Sequence, residues 1–119
     1  MSRRSLRVAL LTVALAATML PLGAAGAESP PPLPSSIAAV GDSISQAVSS
    51  GGSLGAVYPA NAWSTGTNTT VNSHYARLLA LNPAIVGRAF NDSVSGAKMA
   101  DLDGQMRVVV GQRPDYLTV

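Results

Sequence analysis

The stretch Ile37-Ala38-Ala39-Val40-Gly41-Asp42-Ser43-Ile44-Ser45 decides the fold. Four consecutive apolar residues are enough for a short buried strand, Ile37 to Val40, and the run stops abruptly at Gly41, which permits a tight turn. The polar residues that follow can open a helix, which is expected from Ile44 to about Ser49. Ser43 then stands where a strand ends and a helix begins. In an open α/β sheet that edge is where ligands bind, because the strand's carboxyl end and the exposed N–H groups of the helix face one crevice. A hydroxyl held there can serve as a nucleophile, with unpaired amides ready to receive developing negative charge.

Upstream of this stretch lies a leader. Arg3, Arg4 and Arg7 form a positive segment, Val8 to Leu20 is almost unbrokenly apolar, and Ala25-Gly26-Ala27 offers small residues for cleavage. The apolar run is short for a membrane span and meets Pro21-Leu22-Gly23, so residues 1–27 are expected to be a secretory signal and not a stable membrane anchor. The protein is accordingly expected to be secreted, by the general pathway in preference to the twin-arginine route. Residues 28–36, with the run Ser29-Pro30-Pro31-Pro32-Leu33-Pro34-Ser35-Ser36, are expected to be a stiff linker, and residues 37–119 the domain itself.

The formal charge of +2 is misleading. Three of the eight basic residues belong to the leader, and the remaining five face six acidic ones, so no basic surface for nucleic acid is expected. The chain contains no cysteine, which excludes a disulfide framework and leaves stability to a small core. With a single histidine and no cysteine, no metal-ligand cluster suggests itself, and no cofactor is expected.

Downstream, Gly51 to Gly66 is expected to be a long irregular loop, holding four glycines, Pro59 and the only tryptophan, Trp63. Asn72 can cap a helix that runs through Leu81 and ends at Asn82-Pro83, with Tyr75, Ala76, Leu78 and Leu79 as its apolar face. A second strand is expected from Ile85 to Phe90, closing at Asn91-Asp92-Ser93-Val94-Ser95-Gly96. A helix follows from about Lys98 to Val110, where Met99, Leu102, Met106, Val109 and Val110 recur at helical spacing as core residues and Gly111 stops it. Tyr116-Leu117-Thr118-Val119 is the third strand. The alternation of strand and helix predicts an α/β fold with a parallel sheet and helices on both faces.

Two serines have nucleophile contexts. Gly51-Gly52-Ser53-Leu54-Gly55 matches the G-x-S-x-G elbow, a pattern that needs a strand before it and a helix after it, and neither is expected there. Ser43 has that context. Around it, Ala39-Val40-Gly41-Asp42-Ser43-Ile44-Ser45 resembles the first block of the SGNH hydrolases, the GDSL-type esterases and lipases. Asn91-Asp92-Ser93-Val94-Ser95-Gly96-Ala97 resembles the second block, and Pro114-Asp115-Tyr116-Leu117-Thr118-Val119 the strand leading into the third.

This resemblance implies a three-layer α/β/α sandwich with a parallel sheet, flavodoxin-like, of which the first three strands are present, and serine-dependent hydrolysis of carboxylic esters. It implies Ser43 as nucleophile and as one oxyanion donor through its own amide, and Gly96 as a second amide donor. Asp42 is expected to be structural, tying the turn to nearby amides. Substrates would be small-molecule, lipid or glycan esters. The family's Gly-x-Asn-Asp and Asp-x-x-His blocks do not occur in the sequence, and His74 falls in the middle of a predicted helix, away from the base's place. The expectation is an N-terminal part of such a hydrolase with little or no esterase activity by itself. A secreted, non-catalytic glycan- or lipid-binding module, with Tyr58 and Trp63 lining its site, is the alternative.

Overall fold

The computed structural model describes residues 29–119, of which Pro31–Val119 packs as one unit; the leader assigned to residues 1–27 lies outside the described residues. Three short strands, β1 (Ile37–Ala39), β2 (Ala89–Asn91) and β3 (Tyr116–Thr118), form a parallel sheet in the order β2-β1-β3. Ile37 stands in register with Ala89 on one side and with Tyr116 on the other. Helix α1 (His74–Leu81) connects β1 to β2, and α2 (Leu102–Gln112) connects β2 to β3. The protein is thus mixed α/β, with the first strand at the centre.

Alternation along β1 separates the core into two clusters. Ile37 packs with Tyr75, Leu78 and Leu79 of α1 and with Ile85, whereas Ala38 and Val40 pack with Leu102, Met106 and Val109 of α2. Ile37, Ala38, Ala39 and Val40 are all fully buried, as a strand covered on both sides must be, and this explains an apolar run with no polar alternation.

The local structure differs from the sequence expectations at identifiable places. No regular helix forms over Ile44–Ser49; residues 43–50 are a chain of turns in which Ala47 and Ser49 take positive φ values of 56° and 64°. Serine hydroxyls stabilise those turns against the helix: Ser49 Oγ accepts from the Gly55 amide at 2.8 Å, and Ser50 Oγ donates to the Ala47 carbonyl at 2.7 Å. The cap of α1 is Ser73, whose Oγ accepts from the Ala76 amide at 3.0 Å, while Asn72 lies before it at φ 51°. The second strand is shorter than the expected Ile85–Phe90, because Pro83–Ile85 forms a 3₁₀ turn capped by the Asn82 side chain, and strand pairing begins only at Ala89.

In the last helical segment, Met99–Asp101 is a 3₁₀ turn ahead of α2, which continues through Gly111 to Gln112 and ends at Arg113 in the left-handed region. The 3₁₀ start leaves Met99 81% exposed, and Val110, about a quarter-turn round α2 from buried Val109, is 69% exposed, so these two expected core residues face solvent. The linker also ends earlier than Ser36. Ser36 is fully buried, its Oγ accepts from the Asp115 amide at 2.9 Å, and its carbonyl accepts from Tyr116 at 3.2 Å.

Candidate functional site

The carboxyl end of β1 opens into Gly41-Asp42-Ser43. Gly41 has φ 134°, and a Cβ there would lie 2.6 Å from Ser45 Oγ, so the turn requires glycine. The Asp42 carboxylate accepts from the Ile44 amide at 2.9 Å, and its backbone carbonyl accepts from Gln46 at 3.2 Å, closing the turn around Ser43. Ser43 is half-buried and its carbonyl accepts from the Val48 amide at 3.0 Å. Among the described residues, neither its hydroxyl nor its own amide has a hydrogen-bond partner.

The loop after β2 closes on this turn. The Asp92 amide donates to the Ala39 carbonyl at 2.8 Å and the Val94 amide to the Gly41 carbonyl at 3.0 Å, extending the pairing of β1 and β2 beyond the strands. Gln46 reinforces the junction with both ends of its amide: Nε2 donates to the Ser93 carbonyl at 2.6 Å, and Oε1 accepts from Ser95 Oγ at 2.7 Å. Asn91 donates to the Ser45 carbonyl at 2.8 Å and to Thr65 Oγ1 at 3.1 Å, while its Oδ1 accepts from Ser93. Gly96 follows in an exposed turn, and its amide also has no partner among the described residues. The structure therefore joins the loop of Ser43 to the loop of Gly96 through a continuous hydrogen-bond network.

A cavity of about 490 Å³ opens beside the turn, lined by Gly41, Asp42, Ile44, Trp63, Leu102 and Gln105 among others. A second, of about 380 Å³, is lined by Gly96, Ala97, Gly104 and Gln105. Ser43 lines neither of these two; it sits next to Asp42 and Ile44, which line the first.

His74 does not reach Ser43. It is the first residue of α1, not a mid-helix residue, and its Nδ1 is 3.2 Å from the Tyr116 hydroxyl, with the ring edge-on to Trp63 and stacked on Tyr116. Ser53 lies in an exposed turn with no strand before it, its amide donating to the Tyr58 hydroxyl at 2.9 Å. Tyr58 is thereby folded onto its own loop, its ring against Gly51, and only Trp63 of the two loop aromatics reaches the cavity. Among the described residues no group of three or more His, Cys, Asp or Glu is placed to hold a metal ion. None of their helices is long and apolar enough to cross a membrane.

Gln105, Gln46 and Asn91 are the organising residues that sequence reasoning missed. Gln105 carried a signal: it lies three residues after Leu102 and four before Val109, on the apolar face of α2, where a polar side chain must have a buried partner. No protein-family model, curated protein or solved structure matches the chain.

Proposed function

We propose that this protein is a secreted serine hydrolase of carboxylic esters of the SGNH type, with Ser43 as its nucleophile. The observation that carries the reading is the arrangement at the end of β1: a hydroxyl on a tightly held turn whose loop is bonded to the loop of Gly96, with the amides of Ser43 and Gly96 both without a partner among the described residues. The strand order supports it. A chain that runs from β1 to β2 on one side and returns to β3 on the other has its topological switch point between β1 and β3, and ligands bind outside the carboxyl ends of strands at that point. With α1 and α2 contributing to clusters on opposite sides of β1, the finer architecture proposed is a three-layer, flavodoxin-like α/β/α sandwich.

In this chemistry Ser43 Oγ attacks the ester carbonyl carbon, the carbonyl oxygen becomes the oxyanion of a tetrahedral intermediate, and the two amides donate to it. Collapse expels the alcohol and leaves an acyl-serine, which water hydrolyses. Loss of one such donor costs about a hundred- to a thousand-fold in rate. The Ser43 proton needs a base, and the only histidine of the chain is held at Tyr116. Turnover by this chain alone is accordingly slow, since an unassisted hydroxyl is a weak nucleophile at neutral pH.

A fluorophosphonate ester tests the reading, because the oxyanion donors that assist acylation also assist phosphonylation of Ser43; without a base the capture is slow, so it is followed over long incubation at high probe concentration. The expected result is a single adduct mapping to Ser43 and absent from Ser43→Ala. An adduct on Ser53, or none on Ser43, overturns it.

A further inference from the structure

Gly41 is held from outside its own turn by one side chain. Gln105 of α2, 6% exposed, accepts from the Gly41 amide through Oε1 at 2.7 Å and donates from Nε2 to the Gly41 carbonyl at 2.8 Å. A primary amide that meets both backbone groups of one residue acts as a fragment of neighbouring strand, fixing that residue in position and in orientation. The Gly41 carbonyl also accepts from the Val94 amide at 3.0 Å. Three segments thus converge on one peptide group: the turn after β1, the loop after β2, and α2.

Ser43 lies two residues beyond Gly41, and Gly96 two residues beyond Val94. Gln105 also lines both cavities, the one bordered by Gly41 and Asp42 and the one bordered by Gly96. Its neighbours on the buried face, Leu102, Met106 and Val109, are apolar, so the amide stands there for its bonds to Gly41 and not for packing; an apolar side chain would leave the Gly41 amide without that partner. The amide's place on that face matches a positional task.

We propose that Gln105 is a positioning residue: by clamping Gly41 it sets the spacing between the Ser43 and Gly96 amides on which oxyanion binding depends. This rests on the reading of Ser43 as nucleophile. Gln105 bonds to neither Ser43 nor Gly96; both of its hydrogen bonds go to Gly41, through which it acts.

The test measures the rate of fluorophosphonate capture at Ser43 in the full chain, by intact mass and peptide mapping, together with thermal midpoints. It compares wild type, Gln105→Leu, Gln105→Glu and Val109→Ala. Gln105→Leu removes the clamp, and its capture slows by about tenfold or more, the scale set by small misplacements of reacting groups. Val109→Ala lowers the thermal midpoint from the same helix face yet keeps the wild-type capture rate. In Gln105→Glu the introduced carboxyl has the native length, and when protonated it can both accept from and donate to Gly41, so capture relative to wild type recovers as pH falls through the carboxylate range. If Gln105→Leu does not fold, that pH dependence decides. Capture in Gln105→Leu equal to wild type, an equal slowing in Val109→Ala, or a pH-independent deficit in Gln105→Glu overturns the positioning role. A wild-type chain that is not captured at Ser43 overturns the functional reading itself, and this inference with it.

Discussion

Replacing Thr118 by Val should destabilise the protein by about 2 kcal/mol, twice the effect of Ser64→Ala, although both substitutions break the same hydrogen bond. Ser64 Oγ and Thr118 Oγ1 lie 2.6 Å apart, with Ser64 fully buried and Thr118 6% exposed. Thr118 also donates to the Ala38 carbonyl at 3.3 Å, so the proton in the shorter bond belongs to Ser64. Thr118→Val keeps the side-chain shape, loses both bonds and strands the Ser64 O–H in a dry site, where an unsatisfied donor costs about 1–3 kcal/mol. Ser64→Ala leaves Thr118 still donating to Ala38 and forfeits only an acceptor's partner, at about 1 kcal/mol.

The double variant strands no hydroxyl, so its loss should fall short of the sum by about 1 kcal/mol. Urea unfolding of the four chains, analysed by linear extrapolation with unchanged slopes, measures the cycle. In a domain of this size the Thr118→Val loss corresponds to a midpoint drop of roughly 8–16 °C. A larger effect for Ser64→Ala, or additivity of the two, would refute the assigned direction of the proton chain.

Gly66→Ala should be among the most damaging small substitutions, because a Cβ there would lie 2.4 Å from the carbonyl oxygens of Ala60 and Ala62; thermal midpoints against wild type will show it. Ser73→Ala removes the cap of α1 and a hydrogen bond donated to the Gly66 carbonyl, and should cost about 1–2 kcal/mol by chemical denaturation. Ile85→Ala empties part of the α1-side cluster at about 2–5 kcal/mol, whereas Leu54→Ala, at a side chain 97% exposed, should stay within about 0.5 kcal/mol in the same assay.

The strands and helices were legible where hydrophobic pattern alone decides. Ile37 to Val40 is apolar because both faces are covered, and Leu102, Met106 and Val109 repeat at helical spacing because one face is. Expected and observed elements part where local side-chain hydrogen bonds compete with regular structure. Asn82 and Pro83 bend the chain into a 3₁₀ turn, so Ile85 is buried as a turn residue and not as part of a strand. Ser49 and Ser50 satisfy backbone groups in turns where Ile44–Ser49 could have wound into a helix. Helical phase was the other source of error: a 3₁₀ start rotates Met99 outward, and the left-handed conformation of Arg113, not Gly111, ends the helix.

At the candidate site, the Gly41-Asp42-Ser43 turn stood out because glycine ends an apolar run. Its supporting amides did not. Glutamine and asparagine carry no periodic signature, and their partners are backbone groups that become neighbours only after the two loops meet.

The central place of β1 has a consequence for synthesis on the ribosome. Its contacts with β3 join residues 79 and 80 positions apart, as in Ser36 with Asp115 and Ala38 with Thr118. At translation rates of roughly 5–20 residues per second, the first strand emerges about 4–16 s before the partner that covers its second edge. During that interval an apolar, strand-forming tetrapeptide is paired on one side at most, and it invites association with other nascent chains. The sequence that serves as the centre of the β2-β1-β3 sheet is therefore the segment most in need of a chaperone while the chain is still being made.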